Sequence, residues 1–399
     1  MNPPKSILIV IIISQFFCTS LWFAGNGVIH DLIITFKLDN AALGYLTSAV
    51  QLGFIIGTLS FAILSISDRY SPSKVFLVCA LLAALSNLLI TWEQNSLETL
   101  LFFRFLTGLF LAGIYPVGMK IASDYYEKGL GKSLGFLVGA LVIGTAFPHL
   151  LKEITEVFSW KLVLITTSFL AVLGGILMAL LVPNGPYRRV NQEFNLSNFL
   201  SIFKSKTFRS ASFGYFGHMW ELYTFWAFVP IILKTYSQTH PSATINISFL
   251  SFIIIGVGGL SCAVSGYLAH SFGTKRIATY SLLFSCICCL LSPLMFSFNT
   301  AFGLVTFLLF WGIVVIADSP LFSTLISQNA PSPLKGTALT IVNCIGFSFT
   351  IMSIQLVSLI KTFTESNGVY MILAIGPIVG LAALVKNKEI AKADPGVCN

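Results

Sequence analysis

Gly214 to Phe228 reads GYFGHMWELYTFWAF: one carboxylate (Glu221), one imidazole (His218), and otherwise small, apolar and aromatic residues. It belongs to an apolar run from Ala211 to Leu233, long enough to cross a hydrocarbon layer about 30 Å thick at about 1.5 Å per helical residue. A carboxylate in the middle of such a span costs about 2.5–3.5 kcal/mol on insertion scales, so it must gain a partner, face water or serve a function. His218 and Glu221, three residues apart, fall on one helical face. Gly214, Gly217 and Thr224 keep the nearby surface small, which suits close helix approach or access to a cavity.

Composition extends this reading to the whole chain. With 56% hydrophobic and 10% charged residues and a mean hydropathy of +0.87, a water-soluble fold would leave far too much apolar surface exposed; the chain is an integral membrane protein in contact with a lipid bilayer. The formal charge of +8 is distributed as an orientation signal, and nucleic acid is not implied. Seven of the 8 cysteines lie in apolar segments, where cysteine acts as a small hydrophobe. Cys286, Cys288 and Cys289 cluster, but no histidine or carboxylate stands near them in sequence, and no metal or other cofactor is expected.

In chain order, apolar runs stand at about 6–29, 41–65, 75–92, 97–121, 134–151 and 162–182, then at 211–233, 247–269, 277–296, 301–325, 337–360 and 369–385. The first is too long for a signal peptide and lacks a small-residue cleavage site. The expected architecture is therefore all-α, with twelve transmembrane helices: a first six-helix bundle over 1–182, a basic linker over 183–210, a second six-helix bundle over 211–385 and a tail over 386–399. Basic residues concentrate in alternate loops. Lys5, Arg69, Lys74, Lys120, Lys128, Lys132, Arg188, Arg189, Lys204, Lys206, Arg209, Lys275, Arg276, Lys335, Lys386, Lys388 and Lys392 fall on one side, against Lys37, Lys152, Lys161, Lys234 and Lys361 on the other. The positive-inside rule puts both termini and the linker in the cytoplasm.

The two halves also resemble each other. Gly108 and Pro116 recur as Gly312 and Pro320, 204 residues later, and SDRYSPSK (67–74) has a counterpart in GYLAHSFGTKR (266–276). Two landmarks at nearly one offset argue for duplication. With these residues the chain resembles the major facilitator superfamily of secondary transporters over its whole length. The family's loop signature after span two keeps Asp68 and Arg69. The second copy keeps Gly266, Leu268, Ala269, Gly273, Lys275 and Arg276, but has His270 and Ser271 in place of Asp-Arg. Span four has an arginine-containing pattern in Arg104, Gly108 and Pro116. WFAGNGVIHDL (22–32) and GHMWELY (217–223) look like a bacterial subgroup. The glycine-proline antiporter signature of span five is not met.

The resemblance implies that spans one, four, seven and ten line a central cavity. Leaving aside residues near the ends of the apolar runs, the ionisable residues within them fall on three of those spans: Arg104, His218, Glu221 and Asp318. Glu221 and Asp318 are candidates for proton coupling or substrate binding, or are satisfied structural acids, Asp318 at a proline kink. Arg104 either holds an anionic substrate or bonds backbone carbonyls between helices. His218 relays a proton or fixes the Glu221 rotamer. Trp22 and Asn26, four apart, offer an aromatic and amide face to substrate, or anchor at the interface. His30, Asp31 and His149 read as rim residues. By resemblance, Asp68, Arg69, Gly266, Lys275 and Arg276 serve gating, with arginine paired to acids of the facing bundle.

These residues describe a monomeric secondary transporter, not an enzyme, carrying a small molecule by alternating access and coupled to protons through Glu221. No G-x-x-x-x-G-K-[ST] is present to bind a nucleotide, and no H-E-x-x-H. Two alternatives stay open: a facilitator or anion importer organised on Arg104, and a transport-inactive sensor or scaffold with the same fold.

Overall fold

The computed structural model describes residues 5–39, 41–126, 130–155, 157–188, 202–331, 334–364 and 366–386. Most of the linker, Lys128 and the tail beyond Lys386 lie outside the described residues, and with them the reading of those segments. The helices of the first half are α1 (Lys5–Thr19), α2 (Ala24–Gly27), α3 (Ile29–Phe36), α4 (Ala42–Ile63), α5 (Ile66–Arg69), α6 (Pro72–Leu89), α7 (Leu97–Leu111), α8 (Tyr115–Tyr125), α9 (Leu130–Ile154) and α10 (Lys161–Leu181). Those of the second half are α11 (Lys206–Thr239), α12 (Ile247–Phe272), α13 (Thr274–Leu291), α14 (Ala301–Ala317), α15 (Ser319–Asn329), α16 (Lys335–Phe363) and α17 (Ile375–Lys386). Among the described residues, 10 helices are long and apolar enough to cross a membrane, counting α7 with α8 and α14 with α15 as single spans and joining to α13 and α17 the 3-10 turns Ser292–Ser297 and Asn367–Ala374.

Helix starts follow local chemistry. Ser96 and Thr99 form a capping box on α7, and Ser205, Asn246 and Thr300 accept from the first turns of α11, α12 and α14. Proline opens α6, α8 and α15, where its missing N–H costs nothing. One expectation fails. The first apolar run is not a continuous helix over 6–29: it stops at Thr19, turns through residues 20–23 and resumes as α2 and α3. No proline or glycine stands in the turn; the cause is tertiary and is described with the site.

The duplication is visible in packing. A side chain at Gly108 of α7 would collide with the Val50 carbonyl of α4, and one at Gly312 of α14 with the Ile254 carbonyl of α12. Both members of the second pair stand 204 residues after the first. The breaks match as well, α8 starting at Tyr115 and α15 at Ser319. Within each half the first long helix packs against the last (α1 on α10, α11 on α17), and the second against the broken fourth (α4 on α7, α12 on α14).

The halves meet along two seams, α4 on α16 and α9 on α12. Gln355 Nε2 donates to Ser48 Oγ at 2.8 Å in the first. In the second, Gly139 and Gly259 set the two backbones against each other, and Asn246 Nδ2 donates to Glu153 Oε1 at 2.5 Å. The loop pair Lys161–Glu93 (2.6 Å) holds the Glu93 carboxyl below its ordinary range, through the hydrogen bond and charge of Lys161.

Candidate functional site

The stretch that decided the fold lies in α11, a 34-residue helix with Pro230 inside it. Its close approach to α17 rests on glycine: a side chain at Gly217 would meet the carbonyl of Gly376. That contact turns the polar face of α11 toward α13, α14 and α15.

Glu221 is 1% exposed. Trp311 Nε1 of α14 donates to its Oε1 at 2.6 Å, and Ser285 Oγ of α13 to its Oε2 at 2.9 Å; Cys289 also hydrogen-bonds to it, and Asp318 lies within electrostatic reach. A buried carboxylate must be matched by donors or by proton uptake, and here neutral donors do the matching. His218 does not serve as the Glu221 partner. One turn away on α11, its Nδ1 lies 2.7 Å from Asp318 Oδ1 of the α14–α15 break, both side chains being 1% exposed. The structure thus brings His218, Glu221 and Asp318 together inside the second half, with Asp318 the link between them.

Arg104 is apart from this group. It is 1% exposed, and its Nη1 and Nη2 donate to the carbonyls of Leu21 (3.1 Å) and Trp22 (2.5 Å). These carbonyls belong to the turn that interrupts the first run; the Ala24 N–H also reaches the Leu21 carbonyl, at 3.4 Å, while the Trp22 carbonyl accepts from the guanidinium. A guanidinium supplying two donors in a fixed fork explains how the chain stays unwound while buried. Gly25 gives the arginine room, a Cβ there falling 3.2 Å from Nε.

The turn carries Trp22. Its ring centroid stands 5.8 Å from those of Tyr223 (α11) and Phe347 (α16), nearly parallel to both at 24° and 26°, and 4.7 Å from Phe54 of α4. Tyr223 continues the cluster to Trp226 at 5.2 Å. Asn26 instead donates to Thr47 Oγ1 of α4 at 2.8 Å and is held within the first half.

At the expected inner face, Asp68 pairs with Lys120 of α8 at 2.7 Å, and Arg188 Nη2 donates to the carbonyls of Asp68 (3.0 Å) and Tyr70 (2.8 Å). The recorded pairing is therefore within the first half. Arg69 is exposed, and no ion pair of it is recorded among the described residues. In the second copy Gly266 and Arg276 are exposed, Lys275 is half-buried, and Gly273 ends α12 at φ 90°, a conformation that favours glycine. At the outer face Asp31 pairs with Lys152 at 2.8 Å, whereas His149, read as a rim residue, is buried.

Ser285, Cys289 and Trp311 were not legible as partners of Glu221, because such residues are ordinary in an apolar run; only the place of Trp311 beside the landmark Gly312 hinted at it. Gln51, Phe54 and Phe347 gave no signal beyond their own runs.

An apolar helical bundle duplicated at a fixed offset, with titratable groups buried at mid-span, defines a multi-pass membrane protein of the transporter class. The chain belongs to the Major Facilitator Superfamily, whose family model matches residues 9–355. An uncharacterized transporter of Buchnera aphidicola subsp. Schizaphis graminum (strain Sg) is 24% identical over 331 residues, 82% of this chain and 78% of that one. The niacin transporter NiaP of Acinetobacter baylyi (strain ATCC 33305 / BD413 / ADP1) is 29% identical over 160 residues, 34% of this chain and 36% of that one. Among solved structures, the proton:xylose symporter XylE, bound to 6-bromo-6-deoxy-D-glucose, superposes with a TM-score of 0.76 at 13% identity, covering 96% of this chain and 95% of that one. This last likeness is one of fold.

Proposed function

We propose that the chain is a secondary active transporter that moves a small molecule by alternating access between its halves, coupled to protons through Glu221 with Asp318 and His218. On this reading it crosses the inner membrane twelve times, with α1–α3 and α11 supplying the two spans beyond the ten long apolar helices, and it belongs to a bacterial subgroup carrying GHMWELY in its seventh span. The observation that carries the coupling is the buried constellation itself. Two acids and an imidazole lie within reach of one another, the contact of His218 with Asp318 being 2.7 Å, and Trp311 and Ser285, which donate to Glu221, are neutral. Charge on one acid disfavours charge on the other in a water-poor interior, so the proton occupancies of the two acids are linked. The rival reading centred on Arg104 is weakened because both terminal nitrogens of that side chain already serve the chain's own backbone.

Glu221→Gln is the direct test. The amide oxygen can accept from Trp311, and the Ser285 hydroxyl can turn to accept from the amide nitrogen, so the shape persists and the titration is removed. Proteoliposomes with an inside-alkaline gradient would be offered labelled nicotinate, xylose and uridine. Wild type should accumulate its substrate, and the variant should retain counterflow while losing accumulation. Undiminished accumulation by Glu221→Gln would show Glu221 to be structural.

A further inference from the structure

Trp22, Phe54, Tyr223, Phe347 and Trp226 form one ring cluster drawn from both halves, each at most 4% exposed. Two indole N–H groups in it, those of Trp22 and Trp226, have no hydrogen-bond partner among the described residues. Gln51 joins them. It is fully buried, both atoms of its carboxamide are unpartnered, and it stands on the α4 stripe between Thr47, bonded to Asn26, and Phe54, packed on Trp22. A buried indole or amide without a partner costs about 1–3 kcal/mol, and three together, beside stacked rings, amount to an unfilled binding specification.

Alternating access must part these rings, because Trp22 and Phe54 belong to one half and Tyr223, Trp226 and Phe347 to the other. Parting exposes flat aromatic faces together with hydrogen-bonding groups on both sides: the Trp22 indole N–H and the Gln51 carboxamide on one half and the Trp226 indole N–H on the other. A molecule that replaces the lost stacking and accepts from those donors restores what separation removes. We propose that the substrate is a planar, single-ring aromatic carboxylate, its ring stacked on Trp22 and its carboxylate accepting from the indole N–H groups and Gln51. This rests on the transport reading above. The niacin transporter that matches about a third of the chain carries a molecule of this chemistry by its name.

Nicotinate, benzoate, benzamide, cyclohexanecarboxylate and xylose would be titrated against the purified full-length protein by tryptophan fluorescence and thermal shift. Nicotinate or benzoate should quench and stabilise, with cyclohexanecarboxylate, which lacks the flat ring, at least tenfold weaker. Trp22→Leu and Gln51→Leu should each weaken binding at least tenfold while Trp22→Phe, which keeps a ring, weakens it less; retained helical circular dichroism separates this from misfolding. Binding of xylose but neither aromatic acid, or equal binding of the cyclohexane and aromatic acids, would overturn the proposal. Counterflow of labelled nicotinate in proteoliposomes distinguishes the two levels: binding without counterflow sinks transport and leaves the ligand class standing, and counterflow of xylose alone sinks the class and leaves transport.

Discussion

Arg104 shows how one residue type in one place admits two opposite readings. From sequence it was either an anchor for an anion or a donor to backbone, with the anchor favoured, and the structure records the second, because the unwound turn at 20–23 presents the Leu21 and Trp22 carbonyls to the guanidinium. Deleting the guanidinium leaves the buried Trp22 carbonyl unserved, at about 1–3 kcal/mol, and the Leu21 carbonyl with only the Ala24 N–H at 3.4 Å. Arg104→Ala should therefore lower the thermal unfolding midpoint by several degrees in detergent, and Arg104→Lys by less, since an ammonium still donates but lacks the fork. An unchanged midpoint for Arg104→Ala would mean that water or another donor reaches those carbonyls. The arginine was legible as a buried cation; its target was not, since a helix break without proline or glycine leaves no local mark.

Helices were more legible than their interruptions. The offset of 204 residues between Gly108 and Gly312 was read from two letters, and it corresponds to two equivalent backbone contacts, on Val50 and on Ile254. Equivalent contacts should have equivalent costs. Gly108→Val and Gly312→Val each force a side chain into a carbonyl of the neighbouring helix, an overpacking of about 1–3 kcal/mol, and their drops in thermal midpoint should agree within experimental scatter. Gly266→Ala is the contrast. No atom lies within 4 Å of its added methyl, and removing a glycine from a helix interior gains up to about 1 kcal/mol, so its midpoint should hold or rise. A loss at Gly108 without one at Gly312 would mean that the duplicated helices bear load differently. The pairing of His218 with Asp318, by contrast, could not be read from spacing: three residues on α11 suggested His218 with Glu221, while the broken α14–α15 supplied a nearer carboxylate.

For the whole molecule, the alternation of basic loops predicts that both termini and the linker face the cytoplasm. The described cysteines are all buried, so a variant with Cys398→Ser offers a quiet background. Pro186→Cys, exposed at the start of the linker, should react with an impermeant maleimide only after the membrane is opened, whereas Val157→Cys, 94% exposed at the opposite face, should react in intact cells. The reverse pattern would invert the topology and with it the direction assigned to the proton gradient.

The matched breaks of the fourth span and its copy bear on how such a molecule does electrical work. At the residue before each restart the first half has Ile114 and the second Asp318; at Arg104 and its counterpart the first half has the cation and the second Leu308. The two copies therefore carry their buried charged groups differently, the first a cation at Arg104 and the second a carboxyl at Asp318. If protons couple as proposed, only one half changes its charge during a cycle, and the other rocks against it at constant charge. A membrane potential, which acts with about 2.3 kcal/mol per elementary charge per 100 mV, would then pull on the first half with a constant force, through Arg104, and on the second with one that changes during the cycle, leaving the first to serve as the stator of the machine.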